Sequence, residues 1–174
     1  PTAFQGLDFQ GVLSLVNDLA SIIPLFGFEL QHAIPGHYTF TPELWNELFK
    51  IIYGAKGASF NTYHTLVMLE AAVKSERLDE LVLLTGNDDR IVTDLLGKYD
   101  YQKDGNRVTV QYQGGLLGHY ATDTHAAVQW TGSILQKRHR DEWSFPLDEQ
   151  GLAHAVNRCN MVLFDALGNF ENSV

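Results

Sequence analysis

The sequence predicts a mostly helical α+β domain with one β-hairpin, and three observations support this fold class. Apolar residues recur at helical spacing in several segments. The segment from about 98 to 112 alternates apolar and polar side chains on both sides of Asp104–Gly105, a typical hairpin turn. The chain of 174 residues has the size of one ordinary domain and contains no low-complexity linker. Residues 1–174 are therefore predicted to form a single domain.

The first third of the chain is predicted to form a helix, a strand and a second helix. The apolar face of the first helix consists of Val12, Val16, Leu19 and Ile23. Pro24 ends this helix, and residues 26–34 follow as a short strand. Pro35–Gly36 then favours a type II turn. Thr41–Pro42 is typical of a helix start, because threonine caps the first N–H groups and proline suits the first helical position.

The rest of the chain is predicted to contain four helices and the hairpin, with a short apolar segment at 78–84 that ends at Thr85–Gly86. Further helices are expected at 62–74, 88–97, 123–137 and from about residue 146 onward. Asn61 is the predicted N-cap of the first of these, and the glycines of segment 114–118 form a flexible connection. In the last helix Leu152, Val156 and Cys159 share one face. Cys159 is therefore predicted to face the core.

The charge pattern restricts the possible partners. The chain carries 21 acidic and 12 basic residues, a formal charge of -9, and the first 49 residues contain no Lys or Arg. That segment cannot neutralise the phosphates of duplex nucleic acid. The basic run Lys137–Arg140 is interpreted as a solvated helix end. The acidity favours a basic protein as partner.

Several motifs of well-known enzyme classes are missing from the sequence. It has no GxxxxGK[ST], GxGxxG, GxSxG or HExxH motif and no paired CxxC, which excludes P-loop hydrolysis, α/β-hydrolase chemistry and zinc fingers. Cys159 is the only cysteine, so no internal disulfide can form. Polar residues interrupt the apolar segment 9–28, and neither a membrane span nor a signal peptide is expected. Pro1 indicates a processed product or an excised domain.

Two of the seven histidines flank the predicted turn. If Pro35–Gly36 closes a tight hairpin, His32 and His37 lie on one face about 7 Å apart between Cα atoms. The two imidazoles could then share a metal ion or a substrate. His139 and His154 are expected to be solvated.

The stretch Phe28–Pro35, followed by Gly57–Asn61, resembles the opening of the HNH/endonuclease VII superfamily of nuclease toxin domains, over about residues 26–96. The resemblance implies a metal-dependent nuclease-like toxin or effector domain that cleaves nucleic acid phosphodiesters. It also implies a divalent metal ion, an immunity protein as partner, and delivery as a secreted bacterial effector.

The resemblance places the family's first histidine on His32, as general base or metal ligand. Ala33 stands where the family has a second histidine. His64 or Asn61, and Asn87 or Asp88, stand at later positions of the family's pattern. The predicted catalytic residues are His32 and His64, and the predicted metal ligands are His32, His37 and Asp88. An imidazole can take a proton from water near pH 7 while a cation stabilises the developing charge on phosphate.

Two alternatives stay open from the sequence. A lysozyme-like glycan hydrolase needs two carboxylates, and the candidates are Glu70, Glu76 or Glu80 with Asp100 or Asp104. An acidic non-enzymatic interaction domain, antitoxin-like or adaptor-like, would instead use its charge and exposed aromatic residues to bind a basic protein. The aromatic candidates are Trp45, Trp143, Tyr120 and Phe145.

Overall fold

The structure, a computed structural model that describes residues 2–32, 34, 36–115 and 118–166, is built around a parallel β-sheet. The helices are α1 (Phe9–Ala20), α2 (Pro42–Leu48), α3 (Thr62–Lys74), α4 (Ile91–Leu96), α5 (His119–Thr122), α6 (Thr124–Arg140) and α7 (Glu149–Ala166). The strands are β1 (Gly27–Leu30), β2 (Gly54–Ala58), β3 (Val82–Thr85), β4 (Tyr99–Lys103), β5 (Asn106–Val110) and β6 (Gly114–Gly115). Short 3₁₀ turns lie at Thr2–Phe4 and Leu78–Glu80.

The main sheet contains β1, β2, β3 and β6 in that order, and every pairing is parallel. The register places Lys56 beside Phe28 on one side and Leu84 on the other. Strands β1, β2 and β3 follow one another in both sequence and sheet order and are joined through α2 and α3, which defines an α/β fold. The prediction of a mostly helical α+β domain is therefore wrong.

The predicted hairpin is confirmed. Strands β4 and β5 pair antiparallel from Tyr99–Val110 to Lys103–Asn106. Asp104 and Gly105 have φ values of 50° and 77°, and positive φ at both central residues is what the favoured two-residue hairpin turn requires. The hairpin packs on α3, where the hydroxyl of Tyr101 donates to the carbonyl of Leu66 at 3.0 Å.

The helix starts follow the local capping signals. The Thr41 hydroxyl accepts the N–H of Leu44 at 3.2 Å, and the Asn61 side chain accepts the N–H of Tyr63 at 2.9 Å. Helix α3 has the predicted bounds, 62–74. Side-chain acceptors at N-caps satisfy N–H groups that have no partner within the helix, so these starts are encoded locally.

Other details of the predicted elements are wrong. Helix α1 ends at Ala20, and Leu19 is 41% exposed, not part of the core. Cys159 is exposed, because α7 contacts its neighbours mainly through the Leu152 and Val156 side. The first strand is shorter than 26–34. Pro35 lies outside the described residues, although Gly36 has φ 80° and His37 donates to the carbonyl of Ile34 at 3.0 Å, as in a turn.

The hydrophobic core lies between the sheet and its helices. Its largest fully buried side chains include Trp45, Phe49, Leu44, Met68, Leu69, Leu83 and Ile91. Ala55 and Leu83 of the sheet face this layer. The opposite face of the sheet, called the inner face below, carries Phe28, Lys56 and Leu84, all partly exposed. None of the described helices has the length and apolar character needed to cross a lipid bilayer.

Candidate functional site

Lys56 lies in the middle of β2 on the inner face of the sheet. Successive strand residues point to opposite faces, so buried Ala55 and Gly57 face the helices while Lys56 faces away from them. Its Nζ lies 4.4 Å from the centre of the Phe28 ring on the neighbouring strand. The strand therefore holds an amine at the centre of a rigid sheet.

The Lys56 side chain extends into a cavity of about 350 Å³. The cavity is lined by Phe28, Leu30, Gln31, Ile34, Lys56, Ala58, Phe60, Gly86, Asp88, Gly118 and Tyr120. Most of these residues lie at or just beyond the carboxyl ends of β1, β2 and β3. Ligands of parallel α/β sheets bind at this edge, because the loops that follow the strands converge there.

The charges inside the cavity are perturbed by burial. Burial lowers the pKa of Lys56, and the nearby Asp88 opposes this effect only in part. Burial also raises the pKa of Asp88 to about 6, with Lys56 lowering it and Asp89 adding to the rise. A lysine and a carboxyl group shifted toward neutral pH in one cavity are typical of catalytic sites.

Gly86 provides the space that the lysine occupies. A Cβ at Gly86 would lie 2.1 Å from Cε of Lys56 and 2.9 Å from the Cβ of Ala58. Real carbon atoms do not approach this closely. The small residues Gly86 and Ala58 thus form the channel through which the Lys56 chain reaches the cavity.

The arrangement supports nucleophilic chemistry by an amine. A lysine with a lowered pKa is unprotonated in a larger fraction of molecules, and only the neutral amine attacks a carbonyl carbon. Asp88, with its pKa near 6, can exchange a proton at neutral pH. The sequence interpretation missed Lys56. Its placement between the small residues of Gly54–Ala58 is a usable signal, because a lysine inside a buried strand is unusual.

The predicted histidines lie in a separate cluster next to the cavity. The His32 and His37 rings stack with their centres 4.8 Å apart, and the His64 ring stands edge-on to His32 at 5.0 Å. The His32 and His37 rings are therefore close together, although the described residues around the turn form no paired strands, and α3 adds His64. The hydroxyl of Thr39 lies 3.5 Å from Nε2 of His32.

A buried carboxyl group lies beneath the histidines. Glu29 is 0% exposed, and its Oε1 is 3.3 Å from Nδ1 of His64. Burial raises the pKa of Glu29, which His64 and the backbone of Phe40 lower by smaller amounts. The pKa of His32 is lowered by burial and by the neighbouring imidazoles of His64 and His37.

The predicted metal ligands are not brought together as one set. Asp88 lines the Lys56 cavity, whereas His32 and His37 stack beside His64. Within the described part of the chain, no three His, Cys, Asp or Glu side chains are arranged to hold a metal ion. The divalent metal ion, and the catalytic or ligating roles of these four residues, stay predictions.

Comparison with known proteins supports the α/β assignment. No family model and no curated protein matches the chain. Among solved structures it is similar to the dihydrodipicolinate synthase of Bacteroides thetaiotaomicron, with a TM-score of 0.61 at 12% identity, over 94% of this chain and 46% of that one. The 2-keto 3-deoxygluconate aldolase of Picrophilus torridus gives a TM-score of 0.45 at 17% identity, over 87% and 55%.

The dihydrodipicolinate synthase is an α/β-barrel enzyme, and the chain spans about half of its length. At 12% identity the likeness shows the fold alone. The parallel strands β1, β2 and β3, in sequential order and joined through helices, correspond to the arrangement in part of such a barrel.

The resemblance to HNH/endonuclease VII nuclease toxins is therefore wrong, and so is the nuclease function inferred from it. The structural reason is that residues 62–74 form a helix and residues 54–58 a parallel strand inside an α/β sheet. The two alternatives also lack support. Glu70 and Asp100 are paired with Lys74 and Arg107 respectively, not with each other across a cleft. Trp45, one of the proposed contact residues, is fully buried.

Proposed function

We propose that this chain carries the catalytic lysine of a lyase or aldolase-type enzyme, in which Lys56 forms a Schiff base with the carbonyl group of the substrate. The observation that supports this most directly is the position of Lys56: an amine with a pKa lowered by burial, held by a central parallel strand in a cavity at the carboxyl edge of the sheet. The fold shared with an α/β-barrel synthase is consistent with this function.

The proposed reaction begins with attack of the neutral Lys56 amine on the carbonyl carbon. The amine nitrogen loses a proton, the carbonyl oxygen gains one, and the resulting carbinolamine then loses water to give a protonated imine. The imine withdraws electrons from the adjacent carbon, so a carbon–carbon bond at that position can be broken or formed. Asp88 has a pKa of about 6 and can donate the proton needed for loss of water.

The apolar lining suits this chemistry. Phe28, Leu30 and Ile34 limit the contact of the amine with water, and partial burial of this kind both lowers the pKa of the lysine and slows hydrolysis of an imine. Gln31 also lines the cavity and supplies a polar group that can orient a substrate, whereas the Tyr120 hydroxyl is hydrogen-bonded to Thr131 at 2.5 Å.

Reductive trapping tests the proposal. The purified chain is incubated at pH 7.5 with a small carbonyl compound, either pyruvate or glyceraldehyde, and reduced with borohydride. We expect a single covalent adduct, which peptide mass spectrometry locates on Lys56. The variant Lys56→Arg should abolish it, because a guanidinium does not form a stable imine.

Lys50→Arg is the matched control. Lys50 is exposed and paired with Glu47 at 2.6 Å, so this substitution should leave the adduct on Lys56 unchanged. Equal labelling of Lys50 and Lys56, or no adduct with either compound, would contradict the proposal. A basic protein partner, which the net charge of -9 favours, stays a separate prediction.

A further inference from the structure

Asn87 connects three parts of the fold from a fully buried position. Its side chain is 1% exposed. Its Oδ1 accepts the backbone N–H of Phe60 at 3.0 Å, and its Nδ2 donates to the hydroxyl of Thr65 at 2.8 Å and to Oδ2 of Asp94 at 3.1 Å. One amide group therefore joins the segment after β2 to α3 and α4.

The acceptor on α4 is itself fixed. The Asp94 carboxylate is fully buried and also accepts hydrogen bonds from the hydroxyl of Thr85 at 2.8 Å, the hydroxyl of Tyr99 at 3.0 Å and Nε of Arg90 at 3.3 Å. A buried carboxylate is tolerated only when such donors satisfy it. Asn87 is thus bound to a carboxylate that cannot move without breaking several other hydrogen bonds.

Helix α7 holds the same loop from the other side. The side-chain amide of Asn160 donates to the carbonyl of Asp88 at 2.7 Å, and that of Asn157 donates to the carbonyl of Asp89 at 3.0 Å. The backbone that carries Asp88 is therefore restrained on both flanks.

The hydrogen bond to Phe60 fixes an unusual backbone. Phe60 has φ 55°, a left-handed conformation that bulky residues rarely adopt. Asn87 accepts the hydrogen bond that the Phe60 N–H donates. Phe60, Gly86 and Asp88 all line the Lys56 cavity. Asn87 itself does not line it.

We propose that Asn87 is a positioning residue for the lysine site, holding Phe60 and Asp88 around Lys56 so that the amine stays in a fixed environment with little water. This inference rests on the proposed Schiff-base function. The hydrogen bonds of Asn87 set the distance between the loops after β2 and β3, and both loops contribute residues to the lining of the cavity. Without them the loops can separate and admit water.

The test measures the reactivity of Lys56 without requiring turnover. Competitive labelling of the lysine amines with acetic anhydride across pH, read out by peptide mass spectrometry, gives a titration midpoint for each lysine, with exposed Lys50 as the internal reference. In the wild-type chain Lys56 should titrate below Lys50. In Asn87→Ala the Lys56 midpoint should rise toward that of Lys50 by about one unit, because water reaches the amine. Trapping with pyruvate and borohydride should slow at least about tenfold.

Two further variants separate positioning from general destabilisation. Val12→Ala removes buried volume in α1, and it should lower stability without moving the Lys56 midpoint. Thr65→Val removes one acceptor of Asn87 and should shift the midpoint in the same direction by less, which keeps the test available if Asn87→Ala does not fold. An unchanged Lys56 midpoint in both network variants would overturn the role of Asn87. A wild-type Lys56 that titrates like Lys50 would overturn the proposed function itself.

Discussion

At the scale of single residues, the candidate site depends on the small neighbours that leave room for the Lys56 side chain. The Lys56 side chain occupies the volume that a Cβ on Gly86 would need. A methyl group there has no alternative position, since Ala58 closes the other side of the channel. A glycine is therefore needed at position 86 because of this close packing. The backbone does not require it, since Gly86 is not in the left-handed conformation.

Substitution of Gly86 by alanine should displace the amine. We expect Gly86→Ala to reduce the rate of borohydride trapping at least about tenfold, because small displacements of a reacting group have large effects on rate. Circular dichroism and mass spectrometry of the trapped peptide would measure the fold and the adduct. The control is Gly132→Ala in α6, where a Cβ meets nothing within 4 Å. That variant should trap normally and be more stable by about 0.5–1 kcal/mol. Normal trapping in Gly86→Ala would show that Lys56 reaches the substrate by another route.

Only part of the candidate site could be predicted from the sequence. His32 and His37 were expected to be close because a Pro–Gly turn separates them by only a few residues, and their rings do stack. Lys56 and Asp88 are 32 positions apart and meet only because β2 and β3 pair in parallel. No local spacing rule contains that information.

At the scale of helices and strands, elements that depend on local sequence signals can be predicted, and elements that depend on pairing with distant residues cannot. Helices α2 and α3 begin where their N-cap residues predict, because a capping hydrogen bond involves residues two or three positions apart. Strand β6 is only Gly114–Gly115, and it exists through its pairing with Leu84–Thr85. Two glycines carry no β signal of their own, so the sequence predicts only a flexible connection here.

The cap of α2 gives a prediction at this scale. Thr41→Ala removes the acceptor for the Leu44 N–H, and it should lower the free energy of unfolding by about 1 kcal/mol. Thr41→Ser keeps the hydroxyl and should lose much less. Urea denaturation followed by circular dichroism measures both variants. If Thr41→Ala unfolds at the wild-type urea concentration, the hydroxyl does not stabilise α2, and the proline at the first helical position is sufficient to start the helix.

At the scale of the whole molecule, groups with shifted pKa values make opposing contributions to stability. The pKa of Glu29 and that of Asp88 are raised, so the folded chain holds protons that the unfolded chain has already released. Because of these two carboxyl groups, the free energy of unfolding falls as the pH rises through the pKa that each group has in the folded chain. The pKa of His32 and that of His119 are lowered by burial, so these two residues make unfolding easier as pH drops below 6.5.

The contribution of Asp88 can be isolated because its pKa is shifted from 3.8 to about 6. A shift of this size corresponds to about 3 kcal/mol, which we reduce to about 1–2 kcal/mol because Asp88 is only partly buried and solvent screens its charge. The asparagine of Asp88→Asn does not titrate. The variant should therefore gain about 1–2 kcal/mol relative to the wild-type chain between pH 3.5 and 7.5, with most of the gain between pH 4 and 6.

Urea unfolding of both proteins at closely spaced pH values measures this difference directly. The histidines and Glu29 are present in both chains, so their contributions cancel in the comparison. The matched control is Asp104→Asn in the exposed hairpin turn, which makes the same chemical change away from the cavity. A constant difference between Asp88→Asn and the wild-type chain over this range would mean that Asp88 is solvated like an ordinary carboxylate. In that case Asp88 would hold a proton in a far smaller fraction of molecules near neutral pH than a group with a pKa of about 6 does, and it would be a poor proton donor for imine formation. If the predicted gain is observed, the carboxyl group that reduces the stability of the fold at neutral pH is also the one available to transfer a proton beside Lys56.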